Sequence, residues 1–173
     1  MEFYEVVKTR RSIRSYKPDQ IPDDVLSRIL EAVRIAPSGS NRQPWKFILV
    51  KDSILKENIA KSSGGQMWIS EAPIVVVACC MKLGYNRGGY MGELSSIMDV
   101  SISLTNLILA ACSECLGTCW IGMFDNNALK TLLSVPANWN VAAVMPLGYP
   151  RGGNLSEPGK RKSLNEIISV NQW

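Results

Sequence analysis

The chain contains no histidine. That absence removes Ser-His-Asp and Cys-His nucleophilic catalysis, and with them any imidazole general base. Chemistry here must come from other side chains or from a bound cofactor. Charge of one sign is also scarce. Lys and Arg number 19 against 15 Asp and Glu, leaving +4 over 173 residues. Such a balance is well short of a nucleic-acid-binding composition and suits a small anionic ligand held at one patch. Long apolar runs are missing as well. "IVVVACCM" is much shorter than the ~20 residues that span a bilayer, so no membrane association is expected. The opening stretch "MEFYEVVKTRR" has no apolar signal core, which points to the cytoplasm. The usual phosphate motifs are absent too. No G-x-G-x-x-G opens a helix, and in "GGNLSEPGK" the glycine spacing is wrong for a P-loop, with Arg161 standing where serine or threonine must follow the lysine.

What is present is an ordinary globular composition, 46% hydrophobic and 20% charged, enough for one domain over residues 1–173. Of the five cysteines, Cys112 and Cys115 have a C-x2-C spacing that can grip a metal. They continue an apolar helical run, however, and Cys119 lies next to an expected strand. Reduced, buried thiols are expected, and no metal centre.

Helical spacing of Phe3, Val6 and Val7 predicts a short helix over 2–9. A second follows Pro22, with Asp23 and Asp24 in its first turn, an apolar face of Val25, Ile29, Leu30 and Val33, and a stop at Pro37-Ser38-Gly39. "KFILV" reads as a strand, 53–62 as a helix and 74–81 as a β-branched strand. Residues 84–92, "GYNRGGYMG", read as a mobile loop. The longest helix comes next and ends at Gly117. Its middle is apolar almost all round, so both faces should be buried, in the core or against a partner chain. "TCWIGMF" is extended, "NNALKTLLSV" a helix with Asn126 as its N-cap, and "VAAVMPLGYP" a final core strand. Interleaved helices and strands predict an α+β or α/β layer protein.

Three arginines crowd into "RRSIRSY", residues 10–16. Guanidinium forks and hydroxyls are what a phosphate requires. Three further segments carry chemistry-bearing residues: "APSGSNRQPWKF" (36–47), "LGTCWIG" (116–122) and "MPLGYPRGG" (145–153) followed by "GKRKSLNEI". Each has an ordinary reading when taken alone. An arginine cluster can complement a helix C-terminus, "PSGSNRQP" can be a simple turn, and Trp45 and Trp120 suit core packing better than ring stacking.

In order, spacing and context together, the four segments resemble the FMN-dependent nitroreductase family, over essentially the whole chain. That resemblance implies an α+β nitroreductase-type sandwich, a central mostly antiparallel sheet flanked by helices, in a domain-exchanged homodimer whose C-terminal tail runs along the partner. It implies FMN as cofactor and NAD(P)H as reductant. The activity it implies is ping-pong transfer to a small acceptor such as a nitroaromatic or quinone. A non-catalytic flavin-binding or storage protein on the same fold is the alternative, and dehalogenation or flavin-consuming ring cleavage a third reading. By the same resemblance Arg10, Arg11 and Ser12 hold the phosphate and ribityl end, joined by Arg161, with Lys160 as a second candidate for that position. Arg14 reaches the pyrimidine edge of the ring. Pro37, Ser38, Gly39 and Asn41 meet the ribityl chain and ring edge, Ile121 and Gly122 bring backbone amides to the ring, and Gly152 and Gly153 allow close approach to the phosphate. No side chain is assigned a catalytic acid role. The chain departs from larger relatives in two places. Gln66 and glycines in "SSGGQMWIS" stand where those relatives carry a flavin-contacting asparagine, and their substrate-covering insertion is reduced to 84–92.

Overall fold

The computed structural model describes residues 1–82, 90–152, 159 and 161–173. Strand β2 (Ile74–Met81) organises it. All its residues but Met81 are buried, so a strand with no polar face has to be covered on both sides. Alternation along β2 divides its side chains between two cores. Ile74, Val76, Ala78 and Cys80 face one, built with helix α2 (Asp23–Arg34) through Leu26, Ile29 and Val33 and with helix α4 (Tyr90–Ser113) through Val100, Leu104, Leu107 and Ala111. Val75, Val77 and Cys79 face the other, built with helix α3 (Ser53–Ser62) through Ile59 and Ala60 and with helix α5 (Asn126–Leu132) through Leu129. Each fully buried valine contributes roughly 1.5–3 kcal/mol.

Strand β1 (Trp45–Val50) pairs with β2, which pairs with strand β4 (Trp139–Gly148), which pairs with the short strand β3 (Gly117–Thr118). Every pairing is antiparallel, in the order β1-β2-β4-β3. Helix α1 (Phe3–Thr9) packs against the C-terminal half of α4, with the Cys112 thiol 3.9 Å from Val6 O. This is the expected α+β sandwich of an antiparallel sheet between helices.

Two expectations need correction, the N-cap of α5 and the loop assignment of 90–92. α5 is capped by Asp125, whose Oδ1 accepts from Asn127 N and Ala128 N at 2.9 and 3.0 Å. Asn126 instead accepts from Val141 N at 3.0 Å. Within the protomer α4 buries one face, and Leu94, Ile97, Met98 and Ile102 lie exposed along the other, the face for which the sequence reading offers a partner chain. Its stretch Leu94–Ser113 also reaches a mean hydropathy of 1.5 over a membrane-spanning length. The run interleaves Ser, Thr, Asn and Asp with apolar residues, so no continuous block marks it by eye, and α2 and the sheet cover its inner face. Of the expected 84–92 loop, 84–89 lie outside the described residues and 90–92 instead open α4.

All five cysteines are free, Cys115 exposed and the others buried. Burial pushes the Cys79 thiol up to about 11, leaving it inert.

Candidate functional site

Residues 10–16 run as an extended segment at the rim of the sheet. Ile13 N donates to Thr118 O at 2.9 Å, and Ser12 bridges Thr118 in parallel register. On the other side Lys17 N donates to Tyr149 O at 2.9 Å and Arg151 N to Ser15 O at 3.0 Å, and Tyr16 bridges Pro150. The segment passes close enough that a Cβ on Gly117 would meet Ile13 Cγ1 at 2.5 Å. Glycine at 117 is therefore a packing requirement. Ile13 turns inward, and alternation leaves Ser12 and Arg14 exposed on a common face.

Tyr16 closes the segment. It is fully buried and donates its hydroxyl to Ile13 O at 2.6 Å. Burial pushes that hydroxyl up, Cys119 adding to the effect and Arg14 opposing it. Glu71 accepts from Tyr16 N at 3.1 Å and from Ser15 Oγ at 3.5 Å, and pairs with Arg151 at 3.8 Å. Cys119 lies among the candidate ligands. Burial raises its thiol, while Arg14, a hydrogen bond from Ser12 and Arg10 pull the other way. Arg10, Ser12 and Arg14 thus stand at alternate positions of one rim segment that passes Thr118. Arg11 also donates to the α1 end, Nη1 to Lys8 O at 2.7 Å and to Arg10 O at 2.6 Å. Arg10, Arg11, Lys17, Thr118, Tyr149 and Gly152 line a cavity of about 330 Å³ beside α4.

Ile121 is buried, and both its backbone groups pair with Val144, N to O at 2.9 Å and O to N at 3.1 Å. Its amide is thereby committed to the sheet. Gly122 next to it is exposed with open space around it. Met123 then packs on Gly64, where a Cβ would meet its Cε at 2.6 Å. Gln66 stands at the end of that turn and donates from Nε2 to Ser63 O at 2.8 Å. Trp45 packs on the first core, whereas Trp120 is partly exposed.

Residues 37–43 form a different kind of structure. Ser40, Asn41 and Gln43 have φ of 53, 54 and 53°, left-handed without being glycine. Gln43 N donates to Ser38 Oγ at 2.9 Å, and Gln43 Nε2 to Asn41 O at 3.0 Å. Gly39 N donates to Asp99 Oδ1 at 2.9 Å. Pro37, Gly39 and Asn41 are exposed and Ser38 is half-buried. This loop meets α4 at Asp99, whereas α1, directly before Arg10, meets it at Cys112. At ~1.5 Å of rise per residue those anchor points lie about 20 Å apart.

Arg161 is exposed and donates from Nη1 to Gly159 O at 3.1 Å. Gly153 and Lys160 lie outside the described residues. The segment 161–173 has no buried residue and exposes Leu164, Ile167, Ile168, Val170 and Trp173. Three residues that shape the site were missed in the sequence. Asp99 was visible as a lone charge in an apolar helix. Glu71 and Gly117 act through long-range contacts that carry no local signal.

The residues present fit a phosphorylated, hydroxylated ligand: two cations and a hydroxyl alternate along the rim segment, and Ser40 and Asn41 stand exposed on the strained loop with Ser38 half-buried beside them. Comparison with known proteins points the same way. The model of the nitroreductase family matches residues 7–149. A nitroreductase family protein from Clostridium novyi NT is 35% identical, with a TM-score of 0.81 over 87% of this chain and 86% of that one. The NADPH:FMN oxidoreductase of Vibrio harveyi is 26% identical, with a TM-score of 0.89 over 99% of this chain and 77% of that one. Human iodotyrosine deiodinase 1 is 26% identical over 96% of this chain and 68% of its own length.

Proposed function

The chain belongs to the nitroreductase family, and from that premise we propose an FMN-dependent oxidoreductase built as one FMN-binding domain. It takes electrons from NADH or NADPH and passes them to a small acceptor such as a nitroaromatic or quinone, in ping-pong order. The observation that carries this reading is the seating of the arginine segment on the sheet rim, where Ser12 bridges Thr118, Ser12 and Arg14 share an exposed face and Arg10 lines the adjoining cavity. Glu71 engages the segment further along, through Ser15 and the Tyr16 amide.

When bound, FMN supplies the two-electron chemistry that no side chain here could perform. Arg10 and Ser12 bind the phosphate end, with Arg11 and Arg161 adding positive charge. Arg14 holds a fixed cation toward the pyrimidine edge, favouring the more negative redox state. Ser38 and Asn41 supply donors and acceptors for the ribityl chain and ring edge. Gly122, seated by the paired Ile121, leaves its backbone open to the ring. No histidine is available, so protons come from water or a backbone-positioned donor.

The reading includes a homodimer. The exposed α4 stripe and the apolar C-terminal segment need a cover, and a two-fold axis would supply the same surface from each side. It would also place the 37–43 loop of one protomer near the arginine segment of its partner, closing the gap of about 20 Å along α4. The reading places the enzyme in the cytoplasm, where its nicotinamide reductant is made.

Titration with FMN, followed by anaerobic mixing with NADH and NADPH, tests the proposal. The expected result is a yellow, FMN-loaded protein that bleaches with at least one nucleotide. Failure to take up micromolar FMN would overturn it. FMN uptake without bleaching by either nucleotide would make this a flavin-binding protein that does not turn over.

A further inference from the structure

Between Leu94 and Ser113, α4 carries a single charged residue, Asp99, and it is only 8% exposed. Taking a carboxylate out of water is costly unless hydrogen-bond donors replace the lost hydration. The donor here is backbone: Gly39 N–H, 2.9 Å from Oδ1. A Cβ on Gly39 would lie 3.8 Å from both carboxylate oxygens, so the loop backbone rests directly over the acid. That loop holds three non-glycine residues at left-handed φ, a costly conformation that needs outside support. The bonds from Gln43 to Ser38 and Asn41 shape the loop internally. The bond to Asp99 attaches that shape to a core helix.

We propose that Asp99 is the positioning residue of the cofactor clamp: its carboxylate holds Gly39 and thereby sets Ser38 and Asn41 where they meet the ligand. The choice of ligand rests on the FMN reading above; the mechanical half does not. Asp99 acts through the loop backbone. What it needs is an acceptor oxygen at that point rather than a negative charge, so asparagine can replace it and alanine cannot.

Two measurements on the full chain decide the matter. In the apoprotein, Asp99→Ala should speed amide exchange across 38–43 by about tenfold while the sheet stays protected, and Asp99→Asn should stay near wild type. In FMN titrations, Asp99→Ala should bind about tenfold more weakly, with the bound-flavin absorption moved toward that of free flavin, and Asp99→Asn should stay within about threefold. If Asp99→Ala does not fold, Gly39→Pro deletes the same bond from the loop side and should give the same two effects. Unchanged exchange in 38–43, faster exchange with unchanged FMN affinity, or Asp99→Asn as damaged as Asp99→Ala would each overturn the proposal. A wild type that takes up no FMN would remove the clamp's ligand and sink the cofactor reading with it. The exchange arm would still report separately whether Asp99 anchors the loop.

Discussion

Residues 10–16 and residues 38–43 lie toward opposite ends of α4 and are held by different means. The arginine segment is bound to β3 on one side and to 149–151 on the other by backbone hydrogen bonds, and none of its residues has a positive φ. The sheet rim templates it, so its shape comes with the fold. The 38–43 loop has three left-handed residues, internal side-chain bonds and a tie to Asp99. Its shape depends on particular side chains. In the proposed enzyme the first half anchors charge and the second arranges polar groups with precision. A built-in rim can tolerate nearby change, whereas a strained loop responds to the loss of one atom.

The largest expected effect comes from separating the halves. Met98 and Ile102 are exposed on α4, so Met98→Lys with Ile102→Lys should leave the protomer folded while like charges face each other across a two-fold interface. If the 37–43 loop reaches the arginine segment of a partner, FMN affinity should fall by about 100-fold, or roughly 2.8 kcal/mol. Sedimentation and FMN titration on the same samples check this. A monomer that binds FMN as tightly as wild type would show that one protomer makes a complete site, and the comparison would fail.

A smaller effect targets the rim alone. Gly117→Ala places a methyl 2.5 Å from Ile13 Cγ1 and 2.8 Å from its Cβ. Overpacking of this kind costs about 1–3 kcal/mol, and the segment carrying Ser12 and Arg14 must shift to relieve it. Urea unfolding should register the loss of stability, and FMN should bind more weakly. Amide exchange in 38–43 should not change, because that loop is supported elsewhere. If both halves loosen together, they form one cooperative unit and the distinction drawn between them is wrong.

The parts legible in the sequence were those whose signal is local. α3 over 53–62 and β2 over 74–81 fall where periodicity and β-branching placed them, because helix and strand periods are short-range. The crowding of Arg10, Arg11 and Arg14 was equally visible. Its route between Thr118 and Tyr149 was not, since both partners lie more than a hundred residues away. The sequence left the two faces of α4 undivided between core and partner because core and interface residues share one composition: Met98 and Ile102 look like Leu104 and Leu107 until packing separates them. Asp125 and Asn126 are both good caps, and only backbone geometry decides between neighbours. Ile121 shows the limit for the site. A motif can point to its backbone, but only the pairing with Val144 reveals that its amide is already committed.

The smallest effect supplies the control that the comparison requires. Asp125 caps α5 through Asn127 N and Ala128 N, and removing such a cap costs about 0.5–2 kcal/mol. In a chain of this size Asp125→Ala should lower the melting temperature by roughly 2–4 °C per kcal/mol lost. The side chain touches neither half of the site, and the bond from Asp125 N to Ser62 O at 2.8 Å survives the substitution because it is backbone. FMN affinity should therefore stay within about twofold of wild type, well below the 1.4 kcal/mol that marks a tenfold change. That outcome would show that weaker binding in the rim and loop variants reflects local geometry rather than general destabilisation. If affinity instead fell in step with stability, the turn from Gly122 through Met123, packed on Gly64, would be carrying the α5 cap into the ring side of the site. The candidate site would then have three supports, the third of them running through the second core.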